Sequence, residues 1–344
     1  MPVDPQILAQ RFGVNELEAL PRDVSPREYF RGEKDGKSFI VMRYPDANEA
    51  ASQELSEFIQ IGEWLNSTGI KAPILYEGDT NECIAAFEDL GNTSFGHILH
   101  TDHDKAIGLY TLAVDVLKKL ASSGLPKNGL PYYKDSRIHE NKRQFVEYCL
   151  AYTQKEKQSN EKLQSFLTAW DEVESALPAC PQGFVHGDYH LENLMFQNHE
   201  TGIKQCALID YQDALNGPLP YDLVNILEDA RMDVPADLRH DMINHYCDGL
   251  FDGAEKEVFL KWYRILGTQF HCRVIGLFIK LAAEQNRDAY LIHINRLANY
   301  ITDGLKDPVL SPVKTWFEKE GVDFTSLKDI DGQKVRETFR NITL

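Results

Sequence analysis

The stretch that decides the fold reads Val185-His186-Gly187-Asp188-Tyr189-His190-Leu191-Glu192-Asn193-Leu194. Asn193 follows Asp188 by five positions, and a later apolar segment, Leu208-Ile209-Asp210, ends in a second aspartate. A carboxylate can accept the proton of an attacking hydroxyl, and amide and carboxylate oxygens are ligands that Mg²⁺ prefers. Asp188 and His186 are therefore the candidate catalytic residues, with His186 bracing the loop, and Asn193 and Asp210 are the candidate metal ligands. The pattern predicts phosphoryl transfer.

Composition limits the alternatives. The chain has 344 residues, a formal charge of −17 and a hydrophobic fraction of 43%, enough for one large or two modest domains with a core. The acidic balance argues against nucleic acid as a partner. The six cysteines are scattered without C-x-x-C spacing, which favours reduced core thiols in the cytoplasm. Without a signal-peptide pattern or an apolar run of about 18 residues, we expect no membrane span. We expect a monomer or weak dimer.

The order of patterns along the chain predicts an α+β architecture. Strand patterns cover residues 27–31 and 38–44 with a hairpin turn between them, and a helix pattern covers 47–67 with Gly69 as its cap. Further strands at 74–76 and 83–87 complete a small β-rich lobe over residues 1–90. Residues 91–344 form a large helical lobe that contains the Asp188 loop, with the main helix patterns at 106–120, 136–156, 159–177, 236–251, 255–284 and 288–304.

Other motifs favour structural interpretations. Gly32 to Ser38 is one residue short of a P-loop and is followed by a strand, so it is interpreted as a hairpin. The histidine cluster His97, His100 and His103 is interpreted as a solvated loop and helix start. Asp222, before an apolar helix pattern, is expected to be an N-cap or a buried brace. Asp213 could serve magnesium or cap a turn.

The catalytic residues resemble the aminoglycoside phosphotransferase and choline kinase superfamily, a branch of the protein-kinase fold. The resemblance rests on His186-Gly187-Asp188, Asn193 and Ile209-Asp210. The flanking stretches Asp23–Arg31, Phe87–Gly91, Tyr211–Asp222, Gln269–Phe278 and Tyr290–Leu291 are similar to one subgroup, the anomeric N-acetylmuramate/N-acetylglucosamine kinases of bacterial cell-wall recycling. The resemblance covers roughly residues 20–305 and implies a two-lobed kinase-like fold.

The resemblance also implies the substrates. ATP with Mg²⁺ would phosphorylate the anomeric hydroxyl of an amino sugar to a sugar 1-phosphate, with Asp188 as the base. The hinge that binds adenine would be Glu88 to Gly91. The implied cofactor-binding residues are Ser25, Arg43, Glu57, Glu88, Asp89 and Leu90. The implied contacts with the sugar are Tyr189, His190, Glu192, Arg137 and Glu140.

One departure from the kinase pattern leaves alternatives open. The strand that should carry a lysine, Phe39 to Arg43, offers Arg43, for which Glu54 or Glu57 could be the helix partner. An aminoglycoside or amino-alcohol kinase is the second hypothesis, although residues 130–150 contain at least as many basic as acidic groups. A nucleotide-binding pseudokinase is the third.

Overall fold

A computed structural model of the chain describes residues 5–21 and 27–343. Its strands, in chain order, are β1 (Leu17–Ala19), β2 (Glu28–Lys34), β3 (Lys37–Arg43), β4 (Leu75–Asp79), β5 (Ile84–Glu88), β6 (Gln182–Val185), β7 (Leu194–Phe196), β8 (Cys206–Leu208) and β9 (Leu215–Pro218). Its α-helices are α1 (Pro5–Phe12), α2 (Glu49–Thr68), α3 (Phe95–Thr101), α4 (Ala106–Ala121), α5 (Arg137–Glu140), α6 (Ala151–Gln154), α7 (Asn160–Ser175), α8 (Pro220–Leu227), α9 (Ala236–Cys247), α10 (Gly253–Gln285), α11 (Ile294–Gly304), α12 (Ser311–Lys319) and α13 (Gly332–Thr343).

The chain forms two compact units. Unit 1 comprises residues 1–129 and 188–214, and unit 2 comprises residues 130–187 and 215–344. The sequence prediction instead divided the chain once, near residue 90. The difference arises because α3 packs against β7 and α4 packs against β8. Both helices and the Asp188 loop therefore fall in unit 1, together with the N-terminal strands. A contact pattern of this kind cannot be read from local sequence.

Unit 1 is built on an antiparallel sheet with the strand order β1-β2-β3-β5-β4. The hairpin β2–β3 turns at Asp35 and Gly36, which both have positive φ, 53° and 73°. An Asp-Gly pair with this backbone is the favoured two-residue hairpin turn, so the strands extend further than their sequence pattern predicted. The predicted hairpin is confirmed, with Glu28 paired to Arg43 and Lys34 paired to Lys37.

The helix that follows the hairpin ends at the predicted Gly69 cap and begins at Glu49, two residues after its predicted start. Asn48 caps the start of α2, where its side-chain oxygen accepts a hydrogen bond from the Ala51 N–H at 3.0 Å. Gly69 caps the end with φ of 89°, a left-handed conformation that glycine adopts without a steric penalty. The buried face of α2 includes Leu55, Phe58 and Gly62.

Unit 2 is helical around one apolar cluster. Its longest helix, α10, has 33 residues and contributes Ile265, Ile275 and Ile279 to that cluster. By length and composition alone α10 could cross a membrane, which the sequence prediction did not single out. However, 72% of its most apolar window is buried inside the protein, as in a core helix. The predicted α+β class is confirmed.

Candidate active site

Unit 1 contains a cavity of about 330 Å³, within the size range of ligand pockets. Apolar side chains from β3, β5 and β7 line it, and the segment after β5 forms one edge. Two of the predicted metal ligands, Asn193 and Asp210, also line this cavity. The lining residues are Leu20, Tyr29, Arg31, Ile40, Met42, Phe58, Pro73, Phe87, Glu88, Asp89, Leu90, Gly91, Asn92, Asn193, Met195, Ile209 and Asp210.

The predicted hinge, Glu88 to Gly91, lies along the cavity and is held by its own side chains. Arg31 donates two hydrogen bonds to the Asp89 carboxylate, at 2.7 and 3.1 Å, and the Gly91 N–H donates a third at 2.9 Å. Burial alone would raise the pKa of Asp89, but hydrogen bonds from Arg31 and Gly91 outweigh it and lower the pKa. Asp89 therefore anchors the hinge to β2.

The neighbours of Asp89 are also engaged. Lys71 donates to the Glu88 carboxylate at 2.9 Å, and the Leu90 carbonyl accepts from the buried Gln197 amide at 3.0 Å. Glu88, Asp89 and Leu90, the hinge residues predicted to bind the nucleotide, all line the cavity. Their side chains and the Leu90 carbonyl hold the hinge in place.

The Asp188 loop is held by Asn193, five positions further along the chain. The Asn193 amide nitrogen donates to the Asp188 carbonyl at 2.9 Å and to its carboxylate at 3.2 Å. The side-chain oxygen of Asn193 consequently points away from Asp188. His190 Nε2 lies 3.4 Å from the Asp188 carboxylate, so this predicted substrate contact lies beside the predicted base. The Asp188 side chain is 58% exposed, which leaves it open to an acceptor.

In unit 2, Asp222 holds the two residues that directly precede Asp188 in the chain. Its carboxylate accepts from the His186 N–H at 2.6 Å and from the Gly187 N–H at 3.0 Å. Asp222 is buried in the first turn of α8, and Gly187 has a φ of 87°. The buried-brace interpretation of Asp222 is confirmed. His186 is fully buried, which fits a bracing residue.

Asp210 adopts a left-handed backbone, with φ of 60°, and accepts a hydrogen bond from Arg27 at 3.1 Å. Arg27 is 9% exposed. Burial works against its charge, yet its pKa is raised because Tyr29, Asp210 and Tyr44 surround the guanidinium. Sequence reasoning missed this residue. The available signal was the predicted strand 27–31, in which residues 27, 29 and 31 share one face.

Two residues that were predicted to bind the nucleotide do not line the cavity. Arg43 donates to the Glu28 carboxylate at 2.9 Å, a partner on the neighbouring strand that sequence reasoning did not propose. Glu57 accepts a hydrogen bond from Gln53 one turn earlier on α2. Neither Arg43 nor Glu57 lines the cavity. The prediction for Ser25 falls outside the described residues.

The residues predicted to contact the sugar also lie in different environments. Tyr189, a predicted contact with the sugar, is fully buried, and its hydroxyl donates to the Ala113 carbonyl at 2.8 Å, as expected of a core residue. Glu192 is exposed and accepts from the Ser94 hydroxyl at 2.5 Å. Arg137 and Glu140 are exposed residues of α5 in unit 2.

Unit 2 has a cavity of its own, of about 700 Å³. Its lining includes Tyr132, Tyr133, His139, Asp171 and Glu174, whereas Arg137 and Glu140 are not part of it. Burial raises the pKa of Tyr133 and lowers the pKa of His139, so both are neutral at pH 7. The combination of aromatic and hydrogen-bonding groups is compatible with a small polar ligand.

Comparison with known proteins identifies the family. The profile of the phosphotransferase enzyme family matches residues 16–257, more than half of the chain, and the chain belongs to this family. An N-acetylmuramate/N-acetylglucosamine kinase of Caulobacter vibrioides is 26% identical over 342 residues, covering 90% of this chain and 93% of the relative. A kinase of the same name from Pseudomonas putida is 29% identical and covers 83% of each chain.

Solved structures agree on the fold. The ADP-bound aminoglycoside phosphotransferase APH(2'')-Ib has a TM-score of 0.56 at 12% identity, covering 87% of this chain and 97% of its own. An ethanolamine kinase of Plasmodium vivax has a TM-score of 0.55 at 16% identity, covering 89% and 87%. The predictions of the superfamily, of a kinase-like fold and of a phosphotransferase acting on a hydroxyl group are confirmed.

Proposed function

We propose that this phosphotransferase uses ATP and Mg²⁺ to phosphorylate the anomeric hydroxyl of N-acetylmuramate or N-acetylglucosamine, giving a sugar 1-phosphate. The observation that carries the proposal is the hydrogen-bonded pair Asp188–Asn193. Asn193 lines the same cavity as Asp210. The choice of an amino sugar draws on the names of the relatives. The six buried thiols suit a reducing compartment, so we include a cytoplasmic location in the proposal.

The cavity suits the adenosine part of the nucleotide. The lining residues Ile40, Met42, Met195 and Ile209 offer apolar surface for a planar base. The hinge around Asp89 supplies a fixed backbone edge next to that surface. Because the hinge is already held in place, less conformational entropy is lost when the nucleotide binds.

The donor set near Asp210 fits a magnesium ion. The Asn193 side-chain oxygen and the Asp210 carboxylate are the hard oxygen ligands that Mg²⁺ selects, and the ion usually completes its coordination with water and phosphate. Among the described residues no group of three His, Cys, Asp or Glu side chains could hold a metal alone, which agrees with a site that shares its ion with a nucleotide. When bound, the ion would neutralise charge on the phosphates.

The chain's own residues then have defined tasks. Asp188 orients the acceptor hydroxyl and takes its proton while the hydroxyl oxygen bonds to the γ-phosphorus. The bond from that phosphorus to the bridging oxygen breaks, and ADP leaves with the electron pair. An anomeric hydroxyl is more acidic than other sugar hydroxyls, so a carboxylate of ordinary basicity can accept its proton more readily. Asn193 keeps Asp188 in one orientation.

An acceptor panel tests the proposal. The enzyme with Mg-ATP is incubated with N-acetylmuramate, N-acetylglucosamine, their methyl glycosides, a kanamycin-type aminoglycoside and choline, and ADP release and ³¹P spectra are recorded. We expect turnover with the free sugars and none with the methyl glycosides, because the glycosides lack a free anomeric hydroxyl. Turnover only with the aminoglycoside or choline would establish the second hypothesis, and ATP binding without turnover on any acceptor would support the pseudokinase.

The Asp188→Asn variant tests the base. We expect kcat to fall by at least about a thousandfold, because proton acceptance and hydroxyl orientation are lost together. Binding of ATP should stay within about twofold, since the variant keeps the Asn193 contact through its amide oxygen. Near-normal turnover with the same sugar would exclude Asp188 as the base.

A further inference from the structure

The two faces of the hairpin decide which arginine can reach the nucleotide. Side chains alternate between the faces of a strand. Ile40 and Met42 of β3 line the cavity, whereas Phe39 and Val41 belong to the apolar cluster beneath α1. Arg43 has the parity of Val41 and consequently lies on the face opposite to the cavity.

The contacts of Arg43 agree with this assignment. It is paired with Glu28 directly across the β2–β3 ladder, and the two side chains are 13% and 4% exposed. A second guanidinium nitrogen donates to the Pro45 carbonyl at 3.5 Å. An ion pair this buried is costly to separate, so Arg43 is held as a structural element of the sheet.

By the same alternation, Arg27 is expected on the face opposite to that of Arg43. It lies two positions before Tyr29, which lines the cavity and is paired with Met42 in the sheet. Side chains directly opposite each other in an antiparallel pair lie on the same face. Arg27 directly precedes β2, so continuing the alternation from Tyr29 and Arg31 puts it on their side of the sheet. Arg27 is not itself a lining residue, but its guanidinium reaches the lining residue Asp210 at 3.1 Å.

We propose that Arg27 is the cation that binds the ATP phosphates, in the role for which kinases use a strand lysine; this rests on the proposed function. Its guanidinium is next to the carboxylate that the proposed function assigns to magnesium, which is where the charge of the polyphosphate must be balanced. A guanidinium has five N–H donors in a planar fork. One part can remain on Asp210 while the other donates to phosphate oxygens.

The burial of the Arg27 guanidinium supports its role in phosphate binding. A guanidinium that is 9% exposed has lost most of its hydration, and the Asp210 carboxylate with which it forms an ion pair is 38% exposed. A desolvated cation directed at the phosphate region binds an anion more strongly than a solvated one would. Arg31, also on this face, is committed to Asp89 and Asn92 through three hydrogen bonds.

Equilibrium binding of Mg-ATP, ADP and adenosine tests the proposal without any acceptor. In Arg27→Gln we expect the Kd for ATP to rise by about ten- to a hundredfold and that for adenosine to stay within about twofold, because only phosphate contacts are lost. The matched control is the Glu28→Gln/Arg43→Gln double variant. It removes the other buried arginine together with its partner, and the ratio of ATP to adenosine affinity should be unchanged.

The conservative variant Arg27→Lys protects the test against a folding defect. Lysine keeps the charge but loses the fork, so its Kd for ATP should lie between those of the wild type and Arg27→Gln, and circular dichroism should show a native fold. An unchanged ratio of ATP to adenosine affinity in the Arg27 variants, or an equal loss in the double variant, would overturn the proposal. Since no acceptor is present, this result is independent of which hydroxyl the enzyme phosphorylates.

Discussion

The hydroxyl of Tyr211 lies against the α-carbon of Gly62, so closely that any side chain at position 62 would collide with it. The ring of Tyr211 also stacks on Phe58, with centroids 4.5 Å apart and planes inclined by 11°. Tyr211 directly follows Asp210 in the chain. Helix α2 thereby fixes the backbone next to a proposed magnesium ligand, and glycine at position 62 is what permits the approach.

Gly62→Ala should destabilise the protein by about 1–3 kcal/mol, because the added methyl group overpacks a buried contact. Displacement of Tyr211 should also weaken Mg-ATP binding through Asp210. Urea unfolding and nucleotide titration measure the two effects. Gly108→Ala is the matched control, since Gly108 is an exposed helical glycine with open space around its α-carbon. It should stabilise the protein by up to about 1 kcal/mol through helix propensity.

A double-mutant cycle locates the cause. Tyr211→Phe removes the colliding oxygen, which is buried and makes no hydrogen bond with the residues that the structure describes. In that background Gly62→Ala should cost less than it does in the wild type, by about 1 kcal/mol. Equal costs in both backgrounds would show that the tyrosine is not the obstacle.

Asp222→Asn should lower the free energy of unfolding by about 2–4 kcal/mol, since a carboxylate that accepts two buried backbone N–H groups is replaced by an amide with one acceptor. The loop strain should reduce kcat more than it changes the Kd for ATP. Denaturant unfolding and steady-state kinetics are the measurements. Asp241→Asn, at an exposed position in α9, should change stability by less than about 0.5 kcal/mol. Comparable losses in the two variants would contradict the bracing role.

The Arg31–Asp89 pair gives the stability a defined pH dependence. The folded pKa of Asp89 is lower than its ordinary value of 3.8, so its contribution is present above that value and is lost as pH falls through the folded pKa. Asp89→Asn should cost about 1–3 kcal/mol at pH 7 and progressively less below pH 4. Chemical denaturation of both proteins between pH 7 and pH 3 tests this. A constant difference across that range would refute it.

Tyr189→Phe distinguishes a core residue from a sugar contact. Losing the hydrogen bond to the Ala113 carbonyl should cost about 0.5–1.5 kcal/mol of stability. The acceptor KM should not change, because the buried ring stays in place. A raised acceptor KM with unchanged stability would restore the substrate role that the sequence suggested.

Local sequence was a reliable guide wherever neighbouring residues act together. Asp188 and Asn193 are only five positions apart, and in the structure the Asn193 amide reaches the Asp188 carboxylate at 3.2 Å. Asn48 and Gly69 are cap residues whose chemistry works within one helical turn, so both ends of α2 were predictable. The Asp35-Gly36 turn is equally local, since the φ preferences of two residues determine it.

What the sequence by itself supplied was the proposed chemistry, with Asp188 as the base and Asn193 and Asp210 as oxygen ligands, and the helices and hairpin around these residues. The tertiary structure alone decided that Arg27, 183 positions before Asp210, lies beside it while Arg43 is bound to Glu28. It also decided that Tyr189 is a core residue. The reason is physical, because the face of a strand and the burial of a ring depend on the elements that pack there, and those elements are remote in sequence.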